Sequence, residues 1–304
     1  MRGLCCQVVV GARRVVIDPG LALGYQRHGL LPHPAQVAVG ECVRRRILTA
    51  LADATEVVIS HFHGDHMPLA DANPFQMPLA PAADACRRAR FRVMGPAGAP
   101  PKMQERRSAL EQALGRALPA AEGSRDGPLA FSPPFSHGDP RTRQGTVMMT
   151  RVADGDAVFI HASDTQLLDG DAVAWILAQK PDVVLADGPP LYLSRFTAAH
   201  RRAAWDNALR LSRGVATLIL DHHLMRSDEG LSWLERLASE TGHAVLCAAD
   251  FMGRPRCLLE SRRRRLYEEM PAPAGWHEDY ARGEADTRGY RTFVESCGDE
   301  RADP

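Results

Sequence analysis

Residues 56–60, Glu56-Val57-Val58-Ile59-Ser60, are short, apolar and β-branched, the pattern of a buried strand. The run stops at His61-Phe62-His63-Gly64-Asp65-His66, which sets four potential metal ligands within six residues. In an extended loop, side chains two apart can point to one side, so His61 and His63 can share one ion. A turn through Gly64, a residue without the steric limits of a side chain, then swings Asp65 and His66 toward a second. Imidazole and carboxylate donors together suit zinc, iron or manganese. The competing reading is a surface histidine cluster, but with twelve histidines in 304 residues this pattern arises by chance on the order of once in a thousand such sequences.

The rest of the chain supplies a scaffold for such a loop. Two β-branched runs, 7–10 and 14–17, flank Gly11-Ala12 as a hairpin and end in Asp18-Pro19-Gly20. A helix is expected over 35–54, a strand over 91–94, and a helix over 104–118 after a Pro- and Ala-rich stretch. Strands follow at 129–132, 145–152 and 157–162, the last two joined by a turn through Asp154-Gly155. From there helix and strand alternate: helices at 170–179, 197–212 and 228–240, strands at 182–186, 215–220 and 243–247. Residues 257–269 read as a charged helical segment and the last thirty-five as polar and peripheral.

Further candidate ligands stand at strand ends or in the loops after them: His137, Asp164 and the pair His222-His223. Taken singly, a loop histidine is commonly just solvated and an Asp after Ser commonly a turn residue. Tyr192, behind Gly188-Pro189-Pro190, could donate a hydrogen bond to a developing oxyanion, or be an ordinary packing tyrosine. Asp18 could orient the histidine loop or merely form its turn, and His28 and His33 could line the mouth of a site or be solvated. The run Arg262 to Arg265 reads as a solvated helical face rather than a nucleic-acid patch.

Together these residues resemble the metallo-β-lactamase superfamily, whose motifs run Asp, H-x-H-x-D-H, His, Asp, His. The likeness covers roughly residues 7–250, and a fold likeness alone fixes no substrate. More narrowly, Ile17-Asp18-Pro19-Gly20, Pro32-His33-Pro34, Asp187-Gly188-Pro189-Pro190-Leu191-Tyr192 and Asp221-His222-His223 are similar to an archaeal and bacterial branch of it. The resemblance implies an α/β fold, a four-layer αβ/βα sandwich, over residues 1–255, with 256–304 as a polar, partly helical extension. It further implies two divalent metal ions, zinc first with iron or manganese as alternatives. His61, His63 and His137 would hold one, Asp65, His66 and His222 the other, and Asp164 would bridge. His222 and His223 can exchange roles, the one not bound to metal serving as an orienting or substrate-contacting group.

The function expected on this basis is a hydrolase using a metal-bridging hydroxide on a small ester, lactone, thioester or phosphodiester. Asp65 or His223 would shuttle the proton and Tyr192 would assist. Lactam-cleaving relatives commonly carry Cys where this chain has Asp164, which weighs against a lactamase. A di-iron oxidoreductase or oxygenase is the alternative, and a non-catalytic metal-binding scaffold a third. Only 58 residues separate Asp164 from His222, too few for the inserted domain of nucleic-acid-processing relatives. Lys plus Arg and Asp plus Glu number 37 each, so no bulk attraction to nucleic acid or anionic lipid is expected. No apolar run approaches a membrane span. Seven cysteines without a C-x-x-C pair read as free thiols in a reducing, cytoplasmic setting. The partner expected is a small molecule, and the oligomeric state is left open.

Overall fold

The computed structural model describes residues 3–142 and 144–297. The first sheet has β1 (Cys6–Val10), β2 (Arg13–Ile17), β3 (Glu56–Ile59) and β4 (Arg90–Val93) in that order. β1 and β2 form the antiparallel hairpin, whereas β2, β3 and β4 run parallel. α1 (Pro34–Ala52), α2 (Leu79–Ala85) and α3 (Pro101–Leu114) belong to this half. The second sheet is built from β5 (Arg125–Asp126), β6 (Leu129–Phe131), β9 (Thr150–Asp154), β10 (Ala157–His161), β11 (Val183–Ala186), β12 (Thr217–Leu220) and β13 (Ala244–Leu246). A separate ribbon pairs β7 (Phe135–Ser136) with β8 (Thr146–Val147).

Four layers follow from the two-residue period of the strands. Val184 and Ala186 of β11 and Leu218 and Leu220 of β12 pack with Ala172, Val173 and Ile176 of α4 (Gly170–Ala178), Ala204, Ala208 and Leu211 of α5 (Ala198–Gly214), and Leu234 and Leu237 of α6 (Asp228–Thr241). The alternate residues Leu185 and Ile219 face the other way and meet Leu4 and Cys6 of the first half. Across β3 and β4, Val57, Ile59 and Phe91 join Ile47 and Leu51 of α1 and Leu110 and Leu114 of α3 in a further core. The result is helices, sheet, sheet, helices, the α/β sandwich implied by the motifs.

Residues 145–152 do not form one strand. The chain breaks at Met148-Met149 because the Met148 N–H leaves the ladder and donates 3.0 Å to the Ser60 carbonyl at the end of β3. That crossing ties the second sheet to the root of the histidine loop. α3 begins at Pro101, where proline lacks only an N–H that the first turn cannot use, and stops at Gly115, whose φ of 66° is left-handed.

The C-terminal segment differs most from expectation. α7 (Ala248–Phe251) precedes it beside β12 and β13; the segment itself carries α8 (Arg263–Glu269), α9 (Trp276–Arg282) and α10 (Arg291–Ser296), and it packs along α1. Leu259, Leu266 and Val294 bury against Ala38 and Val39, and Trp276 against Leu23, Val37 and Phe75. Cys257 and Cys297 form a disulfide, so the reading of all seven cysteines as free thiols is corrected. The arginine run is not a uniform solvated face either. Arg263 is fully buried and donates to Gln36 Oε1 at 2.9 Å and to the Leu30 carbonyl at 3.0 Å, while its neighbours Arg262, Arg264 and Arg265 are exposed. No helix among the described residues is long and apolar enough to cross a membrane.

Candidate metal centre

β2, β3, β10, β11 and β12 all end at one edge of the sandwich. Asp18 follows β2, the histidine loop follows β3, Asp164 follows β10 by two residues beyond Ala162, Asp187 follows β11, and His222 and His223 follow β12. Three of these strand-end positions turn sharply through left-handed backbone: Asp18 at φ 50°, Ser163 at 52° and His222 at 45°. For residues other than glycine this costs about 1 kcal/mol or more each, and such strain concentrates at functional sites. Gly20 is fixed by space. A Cβ there would lie 2.2 Å from the Met67 nitrogen and 2.4 Å from the His66 carbonyl carbon, so the loop rests directly on its backbone. Gly64 is also a matter of room, since its Cβ would meet Leu69 at 2.8 Å and its φ is not left-handed; the turn through it needs no special backbone freedom.

Asp164 is the hub of the cluster. Its Oδ2 lies 3.2 Å from His66 Nε2, 3.3 Å from His137 Nε2, 3.6 Å from His222 Nε2, 3.7 Å from His223 Nε2 and 4.0 Å from His61 Nε2. Two groups overlap on it or beside it. His61, His63, His137 and Asp164 offer donor atoms all within 4.8 Å of one another, and so do Asp65, His66 and His222. His223 joins Asp164 and His222 in a third such group. The structure therefore brings together all seven side chains singled out as ligands, and His223 with them.

For His61, His66 and His223 the protein holds the nitrogen that faces away from the hub, whereas His137 Nδ1 is buried without a partner. Ser60 Oγ lies 2.9 Å from His61 Nδ1, Asp18 Oδ2 accepts from His66 Nδ1 at 2.9 Å, and Asp187 Oδ2 accepts from His223 Nδ1 at 2.7 Å. Asp18 is itself fixed by the Ser60 amide at 2.7 Å and the Ser60 hydroxyl at 2.6 Å. A carboxylate on the outer nitrogen sets an imidazole's tautomer so that its inner lone pair is available to a metal. His222 differs, because its Nδ1 accepts from the Gly3 amide at 2.8 Å.

Burial and mutual repulsion govern the charges. Burial first, then His66 and His63, hold the His61 imidazole well below its ordinary range, and the same causes with His137 foremost among neighbours push His63 down to about 3. Burial opposes charge on His66 too, but Asp164 and Asp18 outweigh it and raise that imidazole well above the usual range. Burial alone would raise Asp164; His66, His222 and His223 instead hold its carboxyl far down. The fit to cations is seen in what the protein leaves unmet. His61 Nε2 and Asp164 Oδ1 are buried without a hydrogen-bond partner, and inward lone pairs crowd one carboxylate oxygen. Leaving such atoms unpaired is costly unless a cation takes the lone pairs. A donor set of imidazole and carboxylate with no thiolate suits zinc, manganese or iron.

The remaining candidates divide. Tyr192 stands at the centre's flank, where its hydroxyl accepts from Arg226 Nη1 at 2.8 Å. His33 does not line a mouth. It is buried at the head of α1, where its Nδ1 accepts from the Ala35 amide and its Nε2 lies 2.6 Å from the Met270 carbonyl. His28 is exposed, beside the like charges of Arg27, Arg264 and Arg263. Two residues of the site carried no role in the sequence reading. Asp187 was legible in principle, since it follows β11 as Asp164 follows β10. Arg226, in the turn after His222, gave no signal; it is 4% exposed and reaches Asp65 Oδ2 at 3.4 Å and His222 Nε2 at 2.8 Å.

With strand ends of both sheets delivering this ligand array, the chain's place among known proteins is clear: residues 13–243 match the beta-lactamase superfamily domain, and the chain belongs to that superfamily. Within it the chain belongs to the UPF0282 family. It is 48% identical to the UPF0282 protein of Methanosarcina mazei over 95% of both chains, and 32% identical to that of Pyrococcus horikoshii over 90% of this chain and 93% of the other. Among solved structures, the CmlA beta-hydroxylase E377D mutant aligns with a TM-score of 0.46 at 11% identity, over 80% of this chain and 50% of that one.

Proposed function

We propose that the protein is a metal-dependent hydrolase acting on a small ester, lactone, thioester or phosphodiester through a dinuclear centre. The observation that carries this reading is the convergence of two donor groups around Asp164, one of His61, His63 and His137, the other of Asp65, His66 and His222. Held there, two divalent cations would supply Lewis acidity and a hydroxide at neutral pH.

The chain's own part is orientation and proton handling. Asp164 presents one oxygen to both donor groups, which makes it the bridging carboxylate of the proposal. Ser60, Asp18 and Asp187 fix ring orientation from behind. His223, anchored on Asp187 and facing Asp164, is placed to take up or return a proton at its Nε2, and Asp65 at its Oδ2 is the alternative carrier. Tyr192 keeps its own hydroxyl proton to donate, because Arg226 occupies an acceptor position on the same oxygen.

The test is metal analysis coupled to turnover. The purified chain should hold about two metal ions and hydrolyse a generic ester or phosphodiester. His63→Ala should lose metal and turnover together, and a chain with less than one metal that is unchanged by His63→Ala refutes the centre. His222→Ala should lose one metal, whereas His223→Ala should keep both and lose rate; the opposite result exchanges the two roles. The same donors accept iron, and iron-bound protein that consumes oxygen without hydrolysing esters would move the reaction to oxidation.

A further inference from the structure

We propose that Arg226, Tyr192 and Arg27 form a recognition wall for an anionic phosphoryl group, which makes the substrate of the neighbouring centre a phosphoester. The proposal deepens the hydrolase reading and rests on it for the word substrate, but the wall itself is built from the chain alone.

Three observations carry it. The first is a buried guanidinium with one donor left over. Arg226 is almost wholly enclosed, its one ion-pair partner among the described residues is Asp65 at 3.4 Å, and its Nε is buried with no hydrogen-bond partner. Its terminal nitrogens also donate to Tyr192 Oη and His222 Nε2 at 2.8 Å each, so Nε is the group whose burial stays uncompensated. The second is a second guanidinium in the same stack. Arg27 lies over the Tyr192 ring at 4.7 Å, its Nε is likewise buried and unpartnered, and it is held in place by Glu260 Oε1 at 3.2 Å. Arg226 approaches the same ring at 5.8 Å, so two cations lie within 6 Å of the tyrosine. The third is the orientation of the phenol. Its oxygen accepts from Arg226, which itself reaches Asp65 and His222, and this leaves the phenol proton to donate.

Charge decides what such a wall would face. Asp65 and Asp164 would carry two negative charges against the four of two divalent cations; Asp18 behind His66 and a hydroxide reduce the surplus, and Arg226, which shares Asp65, adds to it. A neutral lactone or thioester would leave what remains of that excess, and the Nε donors of Arg27 and Arg226, unmet. A phosphoryl group brings negative charge and several acceptor oxygens, the partner for which arginine's planar fork is suited. A carboxylate shares the sign but offers fewer oxygens, so the two anions are separable by binding.

The experiment is calorimetric titration of inorganic phosphate, and separately acetate, into the full chain in metal-loaded and metal-free forms. The proteins are the wild type, Tyr192→Phe, Arg27→Gln and, as a charge-matched control on the exposed loop nearby, Arg195→Gln. Each is checked for an unchanged melting transition, and Arg27→Lys stands in if Arg27→Gln melts early. The expected result is phosphate binding that acetate does not match, weakened about tenfold by Tyr192→Phe and by Arg27→Gln in either form, with Arg195→Gln unaffected. Phosphate affinity equal in wild type and both wall variants overturns the proposal. So does an equal loss in Arg195→Gln, acetate binding as tight as phosphate, or no phosphate binding at all. If the variants lose phosphate but no ester or phosphoester turns over, the wall stands and the hydrolase reading falls.

Discussion

Single residues set the geometry of the centre by space and by partner. Gly20 has the backbone of His66 and Met67 where a side chain would be, so Gly20→Ala must displace the histidine loop. We expect a loss of about 1–3 kcal/mol, read as a fall in the denaturant midpoint, accompanied by weaker metal retention. Asp187 acts at one remove, through the 2.7 Å bond that orients His223. Asp187→Asn should cost about 10–100-fold in turnover, with the metal content and the melting transition kept; loss of fold instead would show Asp187 to be structural. The buried thiols give a pH test. Burial pushes Cys86 and Cys247 up to about 11, above an unfolded value near 9, so their neutral form contributes stability fully present below about pH 9 and lost as pH rises toward 11. Alkylation of native Cys86 and Cys247 should accordingly be slow at pH 7.5 and accelerate into that window, as peptide mapping would show.

At the scale of elements, the parallel strands and their polar ends were legible because period and burial coincide there. The strand before His61, the turn after β10 and the end of β12 each announce themselves by an apolar run stopping at His or Asp. What was not legible needed partners distant in sequence. The break at Met148-Met149 is invisible in a run with no Gly or Pro between Thr146 and Val152, because its cause is a carbonyl on Ser60. Arg263 cannot be told from the three arginines beside it, since what buries it are Gln36 and Leu30. The C-terminal segment shows no clean periodicity because it grips α1 by scattered anchors, Leu266, Trp276 and Val294, and by a disulfide closing 40 residues. Removing that closure by Cys257→Ser should cost about 2–4 kcal/mol. Limited proteolysis should then cut first within 257–297, and cleavage elsewhere at the same rate would show the segment to be held by packing alone.

At the scale of the whole molecule, the centre is the seam between the halves. His61, His63, Asp65 and His66 come from the first sheet, Asp164, His222 and His223 from the second, and Met148 bridges the sheets at the root of the loop. Cations that bind only the assembled site stabilise the fold as a unit, by about 2.7 kcal/mol at a free concentration a hundred times the dissociation constant. A chelator should therefore lower the melting temperature in one cooperative transition. A drop confined to one half, seen by hydrogen exchange, would mean that the seam does not couple them.

The same division has a consequence during synthesis. His66 leaves the ribosome 156 residues ahead of His222, an interval of about 8–30 s at ordinary elongation rates. Throughout it a loop of three histidines and an aspartate stands without the residues that complete it. The buried contacts of that loop to Asp18, Ser60 and Gly20 all come from the part of the chain already made, so its shape is set first and its metal can be retained last.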